Sequence, residues 1–369
     1  MIFSPLSPLL RHAGIAKLTS DTLLRMDPET AHRATIAALR LGLAPVQQEP
    51  DAPELRTSLC GLDLSNPVGM AAGFDKNAEV PKPLAQVGFG MVEIGTVTPR
   101  PQAGNEKPRL FRIGPAEGVV NRMGFNNEGH EAAFARLKGL RVPAALGVNI
   151  GANKDSADFV ADYVQGVSRF ADLADYLTVN ISSPNTPGLR NLQADEALRR
   201  LLGEVLTARA KARTRVPVLL KIAPDLDEAG LDVIASVIAA TDLDGLIVSN
   251  TTLSRDGVGG LENASETGGL SGRPLFDLST RRLAQMRQRV GTLPIVGVGG
   301  IHSPQSAIAK IEAGADAIQL YSALVFGGFD LLDRIKRGLV AGIRARGGKS
   351  VADIRGTRTD DWAAGRGTI

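Results

Sequence analysis

A single parallel (β/α)8 TIM barrel, an α/β fold, is expected from three observations. Eight continuous apolar runs recur along the chain, amphipathic stretches lie between them, and each run ends on polar or glycine residues. The runs cover residues 67–71, 91–94, 145–150, 176–181, 218–222, 246–248, 295–298 and 317–320. They are continuous rather than alternating, as in strands buried on both faces of a parallel sheet. Residues 196–212 and 231–240 carry helical periodicity and read as crossovers. Eight such units favour closure into a barrel over an open doubly wound sheet.

The run ends converge on one face. The first is followed by Ala72, Gly73, Phe74, Asp75 and Lys76, and the second by Gly95 and Thr96. Asn149 ends the third, Asn180 to Asn185 follow the fourth, and Lys221 lies in the fifth. Ser249, Asn250 and Thr251 follow the sixth, Gly299 and Gly300 the seventh, and Tyr321 and Ser322 the eighth. Barrel active sites assemble at the carboxyl ends of the strands.

Two regions fall outside the alternation. Residues 98–141 form a long insertion whose short runs, 109–113 and 118–120, suggest a hairpin over the barrel mouth. The first 45 residues form a separate helical element. Ser7-Pro8 and Asp27-Pro28 are cap-and-first-turn pairs for two short helices. Leu9, Leu10, Ile15 and Leu18 mark one apolar side, and Ile36, Leu39 and Leu43 another. The element reads either as a cap on the barrel or as an interfacial membrane segment. The domain division is therefore 1–45 for this element, 46–345 for the barrel and 346–369 for a polar surface extension.

Composition narrows the function classes. The chain has 369 residues, 43% hydrophobic and 22% charged, which suits a large globular core. Its net charge is only +3, and aromatic residues are 4% with no basic block among them, so no nucleic-acid surface is indicated. Cys60 is the only cysteine, which excludes an intramolecular disulfide and a cysteine-held iron–sulfur cluster. His12, His32, His130 and His302 lack metal-ligand spacing, so no metal is expected. No segment is apolar enough to span a bilayer, which takes about 20 residues. An organic cofactor remains.

Asn149, Asn180 and Asn250 end three strands. Each alone is equally a turn residue, but together their amides suit the edge of a planar ring of alternating C=O and N–H groups, a flavin or a pyrimidine. Lys221 at a buried strand end reads either as a snorkelling lysine or as a cation beside the flavin N1/O2 edge. Lys76 could serve both flavin and a substrate carboxylate. Gly297-Val-Gly-Gly-Ile301 lacks dinucleotide spacing but suits a phosphate cradle after strand seven, with Tyr321 and Ser322 as its second half. One phosphate implies a mononucleotide, so FMN fits better than FAD or NAD.

Six motifs then carry a resemblance: Met70-Ala-Ala-Gly-Phe-Asp-Lys76, Asn121-Arg-Met-Gly-Phe125, Asn180-Ile-Ser-Ser-Pro-Asn-Thr186, Ser249-Asn-Thr-Thr252, Gly269-Leu-Ser-Gly-Arg-Pro274 and Val298-Gly-Gly-Ile301. In this order they resemble the dihydroorotate dehydrogenase family, over residues 5 to 345. Ser183, where class 1 members carry a cysteine base, and the two-helix N-terminal element are similar to class 2, the quinone-reducing, membrane-associated branch.

The resemblance implies oxidation of (S)-dihydroorotate to orotate in de novo pyrimidine (UMP) biosynthesis. Ser183 would be the catalytic base at C5, with hydride from C6 going to the flavin N5. Lys76, Asn121, Arg122, Met123, Gly124, Phe125, Asn180, Asn185, Asn250 and Thr251 would hold substrate. One FMN per chain would be bound by Ala72, Gly73, Phe74, Asp75, Lys76, Thr96, Asn149, Asn180, Lys221, Ser249, Gly272, Gly300, Tyr321 and Ser322. Ser249 stands where some relatives carry threonine and keeps the hydroxyl. A membrane quinone would enter between the two helices and meet His32, Arg112 and Tyr321. The implied location is peripheral, on the cytoplasmic face of the cell (inner) membrane, with neither nucleic-acid nor iron–sulfur partner. A fumarate- or NAD-reducing class 1-like enzyme, a tRNA dihydrouridine synthase and a non-enzymatic scaffold are the alternatives; Cys60 precedes the barrel, which tells against the second.

Overall fold

The computed structural model describes residues 23–369. Eight parallel strands close into a barrel, each at one of the eight apolar runs: β3 (Val68–Met70), β4 (Met91–Val97), β7 (Ala145–Ile150), β8 (Tyr176–Asn180), β9 (Val218–Ile222), β10 (Gly245–Val248), β12 (Ile295–Val298) and β13 (Ala317–Leu320). Nearly every residue in these strands is buried, which is why the runs are continuous. The expected crossovers are helices Asp195–Arg209 and Glu228–Ala239.

The barrel is filled rather than hollow. Tyr176 is fully buried, and a Cβ on Gly147 would lie 2.1 Å from its ring, so only glycine leaves the tyrosine room. An antiparallel hairpin, β1 (Thr57–Leu59) and β2 (Leu62–Leu64), packs Leu59 and Leu64 on Met91, Tyr176 and Leu219. Its turn is Cys60-Gly61, both at positive φ. Cys60 thus packs away from the mouth, and desolvation pushes its thiol up to about 12. This removes it as a thiolate nucleophile.

The opposite end carries the insertion. β5 (Leu110–Ile113) and β6 (Gly118–Asn121) form the expected hairpin, and β11 (Gly269–Gly272) adds a third antiparallel strand. Two glycines in four residues conceal this strand from a propensity reading. Asp27 caps helix Pro28–Arg40 by accepting from the Thr30 N–H at 2.9 Å, with Pro28 in the first turn. Ile36 and Leu39 are buried as expected, while Glu29 pairs with Arg109 at 2.7 Å across to the insertion. The helix expected after Ser7-Pro8 lies outside the described residues.

The tail departs from expectation. Residues 346–369 are not a polar surface extension but include two short helices, Val351–Ile354 and Thr359–Ala363, that bury Val351, Ile354 and Trp362. Trp362 meets Phe276 edge to face at 5.7 Å, and Arg355 pairs with Asp316. Three apolar anchors in a polar stretch suffice when a barrel surface awaits them; periodicity does not reveal them. Trp362→Ala is expected to cost about 3 kcal/mol, the low end for a buried aromatic. The indole N–H lacks a partner among the described residues, and its removal offsets part of the loss. Urea denaturation reads this; a change below 1 kcal/mol would mean the tail is not part of the cooperative fold.

Candidate active site

The carboxyl ends of the strands open into a cavity of about 1190 Å³ that runs out beneath helix Pro28–Arg40. This is more than one small ligand fills. Most expected site residues line it. Ala72, Gly73, Phe74 and Lys76 come from the loop after β3, and Thr96 from β4. Asn180, Ser183 and Asn185 follow β8, Lys221 lies on β9, and Ser249, Asn250 and Thr251 follow β10. Asn121, Met123, Gly124 and Phe125 enter from the insertion, and Gly272, Gly300, Tyr321 and Ser322 from the far side. His32 and Arg112 line its outer part.

Three expected residues do not line the cavity. The Asp75 carboxylate turns inward and accepts the Glu79 and Val80 N–H groups, both at 2.8 Å, so it shapes the loop. Arg122 turns away to Glu266 at 2.7 Å and lies over the Phe111 ring. Asn149 is fully buried behind Thr96 and Asn180, to which its side chain bonds. Asp75 and Arg122 adjoin the site in sequence, but their side chains leave it.

Asn149 sets the polarity of the floor. Buried Glu93, a site feature missed from sequence, accepts the Asn149 Nδ2–H at Oε1 over 2.7 Å. Asn149 Oδ1 therefore accepts from Thr96 Oγ1 at 2.6 Å and from Asn180 Nδ2 at 3.2 Å. Asn180 Oδ1 is left to accept from Ser182 Oγ at 2.8 Å and Asn250 Nδ2 at 3.3 Å. The three strand-end asparagines thus form one directed chain. Tyr176 Oη and Gln319 Nε2 complete the shell of Glu93 at 3.1 and 2.9 Å. The available signal was a charged residue inside an apolar strand run. Ser271, also missed, faces Ser322 with the hydroxyls 2.8 Å apart.

Two buried lysines face the cavity without a counterion among the described residues. Among the described residues, neither Lys76 nor Lys221 has a hydrogen-bond or ion-pair partner, yet both line the cavity. Desolvation lowers the Lys76 ammonium to about 8 and depresses Lys221 as well, with the Glu93 charge opposing the latter. Ser183 is buried and its Oγ accepts the Asn185 N–H at 3.2 Å. Asn185 Nδ2 donates to the Asn121 carbonyl at 3.2 Å, tying the two loops together.

The outer part is aromatic. His32 meets Phe74 edge to face at 5.4 Å, and Phe74 meets Tyr321 at 5.5 Å. Burial, then the nearby Lys76 charge, drive His32 down to about 3. Its ring is neutral, with Nε2–H donated to the Phe74 carbonyl at 2.7 Å and Nδ1 left as an acceptor. Arg112 donates to the Met26 and Leu24 carbonyls at 2.8 and 3.1 Å, joining the insertion to the start of helix Pro28–Arg40.

The residues present fit a flavin mononucleotide. The Gly300 N–H has no protein acceptor among the described residues, and Ser322 begins a helix beside it. A Cβ on Gly300 would lie 2.3 Å from the Phe276 Cα, and one on Gly272 2.3 Å from the Glu117 carbonyl oxygen, so both must be glycine. A free backbone amide suits a phosphate, and unpaired ammonium groups over an amide floor suit an anionic ring system.

Residues 54–343 match the model of the dihydroorotate dehydrogenase family. The chain is 57% identical over 346 residues to a protein of Rhizobium rhizogenes named dihydroorotate dehydrogenase (quinone), covering 92% of this chain and 96% of that one. A protein of the same name from Rhizobium meliloti is 58% identical, with the same coverage. Among solved structures, DHODH from Eimeria tenella in complex with ferulenol superposes with a TM-score of 0.87 at 39% identity, covering 89% of this chain and 95% of that one.

Proposed function

The chain belongs to the dihydroorotate dehydrogenase family, and on that premise we propose that its cavity holds FMN and dihydroorotate at the inner end and admits a quinone along the outer, aromatic part. The protein is a quinone-dependent oxidoreductase that converts dihydroorotate to orotate in pyrimidine biosynthesis. The family is flavin-dependent; FMN rather than FAD is favoured because the glycine turn Gly297–Ile301 lacks dinucleotide spacing. The observation that carries the site assignment is the pair of lysines, unpartnered among the described residues, that line one cavity with Asn180 and Ser183.

FMN, when bound, would supply two-electron redox chemistry between the substrate and the quinone. The protein's own groups do the rest. Ser183 Oγ takes the C5 proton; a hydroxyl is a weak base, so enclosure and a relay must polarise it. Lys76 pairs with the substrate carboxylate, while Asn121, Asn185, Asn250 and Thr251 hold the ring edge. Asn180 touches both ligands because its amide is fixed by the chain from Glu93. Lys221 places positive charge where the reduced cofactor becomes negative. Helix Pro28–Arg40 walls the outer cavity through Ala31, Thr35 and Leu39, leaving an apolar approach with His32, Arg112 and Tyr321 as polar contacts.

No helix among the described residues is long and apolar enough to cross a membrane. The proposed association is peripheral, through residues 1–45, on the cytoplasmic face of the inner membrane. Purified protein should oxidise dihydroorotate with a ubiquinone analogue and not with fumarate; turnover on fumarate alone would overturn the quinone assignment. The extracted yellow chromophore should be FMN by chromatography. Deleting residues 1–43 should leave flavin reduction by dihydroorotate near the full-length rate while efficient quinone turnover is lost. Survival of both half-reactions would show that the helices do not form the quinone entrance.

A further inference from the structure

Helix Pro304–Glu312 follows the glycine turn and carries Lys310, which is completely buried. Lys310 Nζ donates to Ser279 Oγ at 2.6 Å and lies 5.4 Å from the centre of the Phe276 ring. It has no ion pair among the described residues, and desolvation depresses its ammonium strongly, opposed by the charge of Asp277. Burying a lysine costs free energy that apolar packing would not, so its place behind the turn calls for a role.

Hydrogen-bond counting supplies one. A serine hydroxyl has one proton. Ser279 Oγ has two acceptors in reach, the Gly299 carbonyl at 2.9 Å and the Phe276 carbonyl of its own helix at 3.1 Å. The second is the usual back-bond of a helical serine. With Lys310 donating to the hydroxyl oxygen, the proton is directed to the nearer carbonyl, that of Gly299. In a trans peptide C=O and N–H point in opposite directions. Pulling the Gly299 C=O inward therefore turns the Gly300 N–H outward, to the cavity that Gly299 and Gly300 line. Gly299 and Gly300 both have positive φ, at 108° and 74°, and the backbone there has no side chain to lock it.

We propose that Lys310 is a positioning residue for the cofactor phosphate, acting through Ser279 to aim the Gly300 amide. The inference rests on the FMN reading and adds to it a residue that no phosphate oxygen touches. It predicts a defect confined to the phosphate end. Holoenzyme is diluted and released FMN followed by its fluorescence; riboflavin, which lacks the phosphate, is exchanged into the same holoenzyme in excess. Lys310→Met should weaken FMN by about tenfold, as for loss of one oriented hydrogen bond to a charged group. Riboflavin should bind as in the unsubstituted protein. Ser279→Ala, which cuts the link without emptying the lysine's place, should narrow the FMN-to-riboflavin ratio in the same way. An unchanged ratio in Ser279→Ala, or an equal loss of both flavins in Lys310→Met, would overturn the role of Lys310. If the unsubstituted protein itself does not prefer FMN to riboflavin, the phosphate cradle is wrong, and with it this inference.

Discussion

Ser183→Ala is expected to keep its flavin and lose most of its reduction by dihydroorotate. Positioned general bases contribute on the order of 10²–10⁴ in rate, so anaerobic stopped-flow reduction near neutral pH should slow by that factor. The structural cost is small. Among the described residues Ser183 Oγ makes one hydrogen bond, from the Asn185 N–H, and anchors no second loop. Among the described residues, no histidine, aspartate or glutamate lines the inner cavity near it to substitute: His32 belongs to the outer wall, and Asp330 and Asp333 to the C-terminal helical rim. A rate within tenfold of the unsubstituted protein would assign the base elsewhere. Flavin content measured on the same preparation separates a lost base from a lost cofactor.

Orotate affinity should depend on Lys76, and with a definite pH sign. Desolvation lowers this ammonium to about 8 in the ligand-free protein. The anion binds the protonated form, so affinity is full below pH 8 and weakens as pH rises through it. The loss approaches tenfold per unit until the lysine of the complex also titrates. Lys76→Met should weaken orotate by roughly two to three orders of magnitude, the usual effect of removing one partner of an enclosed charge pair. It should also flatten the pH dependence around 8. Titration of the flavin absorbance with orotate between pH 6 and 10 reads both. A variant that binds weakly but keeps the same pH slope would show that another group, such as Lys221, carries the charge.

The eight barrel strands were legible because each must be apolar on both faces, a demand written locally into five or so consecutive residues. The site motifs were legible for a related reason. Strand ends of a barrel converge, so polar residues that are distant in sequence share one rim. What sequence order could not show was the direction of each side chain. Asp75 and Arg122 sit inside motif runs yet turn away, one to cap its own loop and the other to meet Glu266. Glu93 and Lys310 carry no motif and become meaningful only through Asn149 and Ser279, their partners on other elements. The same holds for β11, which exists as a strand because β6 offers it an edge, and for Trp362, which is buried because Phe276 faces it.

The amino-acid sequence by itself determined the barrel, the mouth hairpin, the family and the Asn180–Asn185 turn, because each depends on local burial or on residue identity at a fixed spacing. Only the tertiary structure decided which residues face the cavity, how the strand-end amides are polarised and how the C-terminal segment packs. Those properties depend on hydrogen bonds and contacts between elements far apart in the chain, and a carboxylate or lysine acquires its role from the partner that folding brings to it.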